Sequence, residues 1–179
     1  MPQETPDRSA APACLGFGCR QTLGVSVSSM PPIIRPYRES DETAVIALWQ
    51  ACDLVRPWND PRKDIARKLQ VNREWFLVAE RETRIVGSVM AGYEGHRGWI
   101  NYLAVDPAAQ RCGLGRALMA EAERLLRAAG CPKINLQVRS TNAAVLAFYR
   151  RLGFAVDDVV SLGRRLETDR PAGERKTSS

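Results

Sequence analysis

Two glycines near the middle of the chain stand where a buried strand gives way to a helix. Residues 105–116 read VDPAAQRCGLGR and lie between a nearly continuous apolar run and an amphipathic stretch. The first amides of a helix have no partner within it, and the helix dipole gives them partial positive charge. Gly113 and Gly115 would let an anion approach that backbone, and Arg111 and Arg116 would add charge beside it. The loop therefore favours a phosphate or pyrophosphate ligand, although a tight turn with close helix packing uses the same glycines.

This loop differs from two widespread phosphate-binding motifs. No Gly-Lys-Ser/Thr follows it, so it is not a Walker loop. The position of a third glycine holds Leu118, so the loop does not match the dinucleotide fingerprint either. These two nucleotide-binding classes are therefore excluded.

The elements around the loop predict one α/β (α+β) domain. Antiparallel hairpins come first and βαβ units follow, which indicates a mixed sheet covered by helices. The predicted strands cover residues 33–37, 75–80, 85–93, 99–105, 133–138 and 154–166. The predicted helices are one that begins after Ser40 or Asp41, and those over residues 61–69, 114–129 and 143–152.

The composition excludes several classes of protein. The chain has 179 residues with 26 Lys and Arg against 20 Asp and Glu, and no apolar run is long enough for a membrane span. A single histidine, His96, argues against a His-rich metal site, and we expect no metal. The five cysteines form no CxxC pair, which is typical of reduced thiols and predicts a cytoplasmic protein.

The chain divides into three regions by composition. Residues 1–29 are rich in Pro, Gly, Ser and Ala and lack the basic and then apolar order of a secretory signal. We expect them to be a disordered tail. Residues 30–167 are predicted to form a single domain, and residues 168–179 a polar tail.

Two motifs together resemble the GNAT superfamily of acyl-CoA-dependent N-acyltransferases. Residues 110–115, QRCGLG, fit its Gln/Arg-x-x-Gly-x-Gly/Ala signature. Residues 140–154 resemble its second block, which contains Asn142, Tyr149 and a Gly-Phe pair. The resemblance covers residues 33–166. Three further segments are similar to the YpeA-like bacterial members of the family: residues 48–61, 92–98 and 161–166.

The resemblance implies the GNAT fold, a mixed and mostly antiparallel sheet with a V-shaped splay between two central strands, flanked by about four helices. It implies acetyl-CoA as co-substrate, with the pantetheine arm bound along the strand that ends at Val105, as an added strand. Asn142 would hydrogen-bond that arm, and a backbone amide near Val105 would polarise the thioester carbonyl. The residues implied in cofactor binding are Leu103, Ala104, Val105, Gln110, Arg111, Cys112, Gly113, Leu114, Gly115, Arg116, Asn142 and Tyr149.

Tyr149 is the catalytic residue that the resemblance implies. Its phenol would protonate the leaving thiolate while an acceptor amine attacks directly, without an acyl-enzyme. The alternative for Tyr149 is a core aromatic on an amphipathic helix. The attacking amine must be neutral, and the carboxylate that many family members use is missing, because Asn101 and Gln137 occupy those strand positions. The base stays unassigned, with Asp53, Asp60, Glu94 and His96 as candidates.

The acceptor is expected at the loop over residues 53–61 and the hairpin turn over residues 93–99. Asp53 and Asp60 would attract a cationic amine, and Trp58 and Tyr93 would give an apolar wall. Trp58 could equally pin the proline-rich loop to the core. The predicted partners are acetyl-CoA and an amine acceptor, with no membrane, and a homodimer is left open.

Two other functions stay open beside an N-acetyltransferase. The missing carboxylate fits an acyl-CoA-binding sensor or interaction module without turnover. The net charge of +6 fits an acetyltransferase that acts on charged tRNA. The sequence contains no cluster of Lys and Arg with interleaved aromatics, which argues against nucleic-acid binding.

Overall fold

The computed structural model describes residues 31–167 and Asp169. The tail predicted over residues 1–29 and all of residues 168–179 except Asp169 lie outside the described residues. The strands are β1 (Ile33–Pro36), β2 (Phe76–Arg81), β3 (Arg84–Tyr93), β4 (Gly98–Val105) and β5 (Ile134–Leu136). The main helices are α1 (Glu42–Ala51), α2 (Pro61–Leu69), α3 (Leu114–Ala128) and α4 (Ala143–Arg151). In the described part of the chain, no helix is both long enough and apolar enough to cross a membrane.

The five strands form one mixed sheet in the order β1-β2-β3-β4-β5. Short connections join β2 to β3 and β3 to β4, so these neighbours pair antiparallel. The connection from β4 to β5 contains α3, and these two strands pair parallel, as a crossover requires. The sequence prediction of a mixed, mostly antiparallel sheet with about four helices is confirmed.

Helices cover both faces of the sheet. On one face, α1 and α2 bury Trp49 and Ile65 against Phe76. On the other face, α3 buries Leu118 and Leu126, and α4 contributes Tyr149 to the same cluster. The hydrophobic effect therefore fixes the sheet between two helical layers. Side chains from both layers can contact β4.

Local sequence accounts for where α2 begins. Asp60 accepts a hydrogen bond from the backbone N–H of Arg62 at 2.9 Å, which satisfies one of the free amides of the first turn. Pro61 occupies the first helical position, where its missing N–H costs nothing. The predicted helix over residues 61–69 is therefore confirmed at both ends.

The strand predicted over residues 154–166 is wrong. In the structure these residues form no strand, and β5 covers only Ile134–Leu136 instead of residues 133–138. The run of valines has a high strand propensity, but a strand exists only where its backbone finds a paired neighbour. Here the side chains of Val156 and Val160 stay exposed to solvent.

Candidate functional site

The pairing between β4 and β5 ends halfway along β4. The two strands pair at Gly98 with Ile134, at Trp99 with Asn135 and at Ile100 with Leu136. Beyond Ile100, β4 continues to pair with β3 but has no partner on the side of β5. Residues 101–105 therefore present free backbone groups in a splay between the two strands.

The backbone of Val105 points into this splay. The next N–H, that of Asp106, donates to Val86 O at 2.9 Å, and hydrogen-bonding directions alternate along an antiparallel strand. The carbonyl of Val105 already accepts from Gln110 Nε2 at 3.1 Å and from the Cys52 thiol at 3.3 Å. Its N–H is therefore the group that remains available to a ligand on the splayed side.

A bulge interrupts β4 at the start of the splay. Asn101 pairs with Met90 and Ala104 with Ser88, so β4 carries one residue more than β3 between these pairs. Tyr102 lies in the bulge with φ +51°, in the left-handed region that tyrosine rarely adopts. The bulge turns the side chain of Tyr102 to the face covered by α1 and α2.

The N-terminus of α3 offers free amides next to the end of β4. The first N–H that bonds back into the helix is that of Ala117, to Gly113 O at 3.0 Å. No side chain caps this helix start, so the amides of residues 114–116 have no partner within the helix. Arg111 and Arg116 are exposed beside it. The arrangement can hold an anion, as the sequence predicts.

The two glycines of the loop serve different purposes. Gly113 has φ +81° with open space around it, so its role is conformational. A Cβ on Gly115 would lie 3.3 Å from the Phe148 ring and 3.7 Å from Val105 Cγ2. Gly115 therefore lets α3, α4 and the end of β4 converge.

Tyr149 is buried on α4 between two aromatic rings. Phe148 and Phe154 meet it edge to face, with ring centroids at 5.1 Å and 5.5 Å. Burial raises the pKa of its hydroxyl to about 12. The raised pKa keeps the hydroxyl protonated, and the hydroxyl makes no hydrogen bond to another described residue. Tyr149 also lines a groove of about 1040 Å³ between β5, α4 and residues 154–161.

Asn142 uses one half of its side-chain amide as a helix cap. Its Oδ1 accepts from the backbone N–H of Val145 at 3.1 Å, at the first turn of α4. The Nδ2 group stays available to donate to a ligand. Of the other residues predicted to bind the cofactor, Gln110 and Cys112 are exposed, Leu103 is half-buried, and Ala104 and Leu114 are buried.

The structure places the residues predicted to bind the acceptor in separate parts of the fold. Asp53 is exposed and forms a two-pronged pair with Arg56, at 2.8 Å for each contact, which lowers the pKa of the Asp53 carboxyl. Asp60 is the cap of α2 described above. Trp58 is 43% exposed, and its carbonyl accepts from Arg165 at 2.9 Å.

Tyr93 lies apart from the loop that carries Trp58. It packs against the cluster on the face covered by α3, whereas that loop leads into α2 on the opposite face. The Tyr93 hydroxyl donates to Gly95 O at 3.1 Å. In the same turn, the backbone N–H of Arg97 donates to Glu94 and lowers the pKa of that carboxyl, and His96 is exposed. None of these groups approaches the splay through a described contact.

A cluster that the sequence analysis missed lies on the face of α1 and α2. Tyr102 Oη donates to Asp64 Oδ2 at 2.6 Å, and its ring stacks on Trp49 at 4.0 Å. Trp49 Nε1 donates to the Ser88 hydroxyl at 2.8 Å, and that hydroxyl donates to Tyr102 O at 3.1 Å. Burial and the Asp64 carboxylate raise the pKa of Tyr102. No local sequence signal links these residues, because 38 positions separate Tyr102 from Asp64.

Asp64 also faces a small cavity, which we call the α2 cavity. Its volume is about 420 Å³. It is lined by Asn59, Asp64, Arg67, Arg165, Leu166, Glu167 and Asp169. Arg67 donates to both oxygens of Asp169, at 3.0 Å and 2.7 Å, and this lowers the pKa of the Asp169 carboxyl to about 2. Tyr102 thus joins the splayed part of β4 to a cavity with three carboxylates.

Metal ligands do not gather anywhere in the described part of the chain. Among residues 31–167 and Asp169, no three His, Cys, Asp or Glu side chains are placed to hold an ion. The described residues offer an anion site at the start of α3, backbone donation into the splay, and a buried phenol that can donate a proton.

Curated relatives are similar to this chain over most of their length. An acetyltransferase of Pectobacterium atrosepticum is 51% identical over 137 residues, which cover 76% of this chain and 97% of that relative. An acetyltransferase of Yersinia enterocolitica is 50% identical over 136 residues, which cover 76% of this chain and 96% of that relative.

Solved structures with the same fold include an aminoglycoside acetyltransferase from an uncultured soil metagenomic sample. It has a TM-score of 0.60 and 26% identity, and the match covers 76% of this chain and 97% of that one. The ribosomal-protein-S18-alanine N-acetyltransferase from Escherichia coli has a TM-score of 0.58 and 26% identity, and the match covers 68% of this chain and 76% of that one. The model of the acetyltransferase (GNAT) family matches residues 43–154. Because that match spans more than half of the chain and carries the glycine loop, the splay and Tyr149, the chain belongs to the GNAT acetyltransferase family.

Proposed function

We propose that this protein transfers the acetyl group of acetyl-CoA to a primary amine by direct attack. The observation that carries the proposal is the end of the β4–β5 pairing at Ile100, which leaves residues 101–105 of β4 without a strand partner on the side of β5. An extended, amide-containing ligand can add there as a strand. The pantetheine arm of acetyl-CoA is such a ligand.

The two ends of the cofactor would meet different parts of this chain. The amides of residues 114–116 would hold its pyrophosphate, since they are free and carry the positive end of the helix dipole. Arg111 and Arg116 would add charge there. Asn142 Nδ2 would donate to an acceptor along the arm.

Tyr149 would supply the proton that the leaving thiolate needs. A phenol whose pKa is about 12 stays protonated across the physiological range, so it fits a general acid and not a base. A Cβ at Gly115 would lie against both Phe148 and Val105, and this close approach supports a position of α4 next to the splay. A backbone amide such as Val105 N–H would polarise the thioester carbonyl.

The acceptor would enter through the α2 cavity. Tyr102 lies at the bulge where the splay begins, and its hydroxyl contacts Asp64 inside that cavity. Arg67 contacts Asp64 at 3.1 Å and Glu167 at 3.6 Å. The lining still holds three carboxylates against two arginines, so the excess of negative charge would attract an ammonium group. By their names, the structural neighbours act on an aminoglycoside and on a protein alanine, so the fold accommodates amines of both kinds.

The experiment that tests this proposal measures thiol release from acetyl-CoA in the presence of a panel of polyamines, aminoglycosides and peptides. Amine-dependent release, with the acetylated amine identified by mass spectrometry, supports an N-acetyltransferase. Saturable acetyl-CoA binding without release for any amine would favour the non-catalytic sensor instead. Release that requires charged tRNA would favour the tRNA-directed alternative.

A further inference from the structure

The α2 cavity keeps its positive and negative charges apart. Each carboxylate of its lining contacts the guanidinium of Arg67 at 3.6 Å or less, and these carboxylates belong to Asp64, Glu167 and Asp169. The second arginine of the lining, Arg165, forms no ion pair with any residue that the structure describes. The cavity therefore has a side with excess negative charge around Arg67 and a positive side at Arg165.

Neutral acceptors hold Arg165 in position. One of its terminal nitrogens donates to Trp58 O at 2.9 Å, and both terminal nitrogens lie 3.4 Å from Asn59 Oδ1. A guanidinium has five N–H donors, so these three contacts leave N–H groups without a described partner. Because neutral acceptors do not compensate the charge of Arg165, its planar fork stays available to a carboxylate.

Asn59 joins the two sides of the cavity. Its Oδ1 faces Arg165, and its Nδ2 donates to Asp64 Oδ2 at 3.4 Å. The same oxygen of Asp64 accepts from Tyr102 at 2.6 Å, so this carboxylate lies on the side that leads to the splay. One side-chain amide thus separates a cation from a carboxylate. A single small molecule with an ammonium group next to an anionic group can bind both.

Asp169 fastens the chain that carries Arg165 to α2. Its side chain is 5% exposed, and Arg67 donates to both of its oxygens at 3.0 Å and 2.7 Å. The backbone N–H of Asp60, at the start of α2, donates to Asp169 at 3.4 Å. These contacts keep Arg165 beside the cavity before a ligand arrives, which lowers the entropy cost of binding.

We infer that the acceptor is a free α-amino acid, whose carboxylate Arg165 binds and whose ammonium group Asp64 binds. The inference rests on the proposed function, because it names the amine for that same reaction. A cavity of about 420 Å³ lies near the lower end of the roughly 300–1,000 Å³ that ligand sites occupy, which suits one amino acid. Polyamines, aminoglycosides and protein N-termini have no carboxylate beside the reacting amine, and in aminoacyl-tRNA that carboxylate is esterified.

Acetyl transfer would change the charges of this ligand. The ammonium group loses one proton to solvent, and its nitrogen then attacks the thioester, so that a C–N bond forms and the C–S bond breaks. The nitrogen releases its second proton to solvent, and the leaving thiolate takes a proton from Tyr149. The product is a neutral amide that keeps its carboxylate. It retains the attraction of Arg165 and loses that of Asp64, which favours its release.

A comparison of amino acids with their carboxamides tests the inference. Thiol release by the full chain gives kcat/KM for the common α-amino acids and for the matching carboxamides. We expect at least one amino acid to exceed its carboxamide by about tenfold or more. Arg165→Gln should remove that preference by lowering kcat/KM for the amino acid alone. Arg164→Gln is the matched control, because it removes the same charge from the adjacent exposed position and leaves the preference unchanged.

Three results would overturn this inference and leave the proposed function intact. The first is release with polyamines, aminoglycosides or peptides but with no amino acid. The second is a preference for the carboxylate that survives Arg165→Gln. The third is an equal loss for amino acid and carboxamide in that variant, which would mean that Arg165 only holds the loop at Trp58. Absence of release with every amine, while acetyl-CoA still binds, would overturn the proposed function and this inference together.

Discussion

Tyr102 and Asp64 are joined by a hydrogen bond of 2.6 Å between a phenol in the β4 bulge and a carboxylate in the first turn of α2. The contact spans the sheet face and connects the splay to the α2 cavity. It also holds the bulge in place, together with the stack of Tyr102 on Trp49. Backbone strain at φ +51° persists only where neighbours fix it in this way.

Replacing Asp64 tests the acceptor side. Asp64→Asn keeps the size of the side chain and removes its charge, so we expect a raised KM for the amine and an unchanged KM for acetyl-CoA. Asp53→Asn is the matched control, because Asp53 is exposed and paired with Arg56, and we expect a smaller effect. The measurement is steady-state kinetics with both substrates varied. If only Asp53→Asn raised the KM for the amine, the acceptor would bind at the loop over residues 53–61 and not at the α2 cavity.

Replacing Tyr149 tests the general acid. Tyr149→Phe removes one hydroxyl from a ring held between Phe148 and Phe154, so the packing is kept. We expect turnover to fall by ~10²–10⁴-fold and acetyl-CoA affinity to stay within about threefold. Calorimetric titration gives the affinity, and thiol release gives the rate. Parallel loss of affinity and rate would mean that Tyr149 shapes the pocket and does not donate the proton.

A negative charge at the start of α3 tests the anion site. Gly113→Asp should abolish the rise in melting temperature that acetyl-CoA causes, because the new carboxylate repels the pyrophosphate. Gly130→Asp is the matched control, since Gly130 also has positive φ, +77°, and open space around it. Both variants carry similar backbone strain, but only the first places charge at the free amides. Equal thermal shifts in the two variants would contradict the assignment.

Lys68 gives the fold a dependence on pH that can be measured. Its ammonium group is half-buried and donates to Ala91 O at 2.5 Å, and burial lowers its pKa from 10.5 to about 8. Between these values the unfolded chain binds more protons than the folded one, so stability rises with pH in that window. Chemical denaturation of the wild type and of Lys68→Met from pH 7.5 to 9.5 isolates the effect. We expect the wild type to gain stability relative to the variant as pH rises, and a constant difference would refute it.

The sequence predicts the helices and the hairpin strands because their signals are local. Pro61 and the Asp60 cap mark the start of α2, and the glycine loop marks the start of α3. The strand over residues 154–166 could not be predicted correctly, since pairing depends on the edge of β5 and not on the valines themselves.

The sequence likewise predicts some residues of the site and misses others. The motifs over residues 110–115 and 140–154 predict an anion site at the start of α3 and a role for Tyr149, because both positions lie in or next to a motif. Tyr102 escapes the sequence because it belongs to no motif, and only the β4 bulge brings it to Asp64. Gly115 has the predicted position, but the structure explains its missing side chain by the Phe148 ring.

The most direct test of the central claim follows the acetyl group itself. The full chain is incubated with acetyl-CoA that carries an isotopically labelled acetyl group, with and without an amine that supports thiol release. Mass spectrometry of protein and amine then shows where the label goes. Direct attack predicts labelled amine and no label on the protein, even when the amine is left out. Label held covalently by the protein in the absence of amine, or amine that stays unlabelled while thiol is released, would contradict the account.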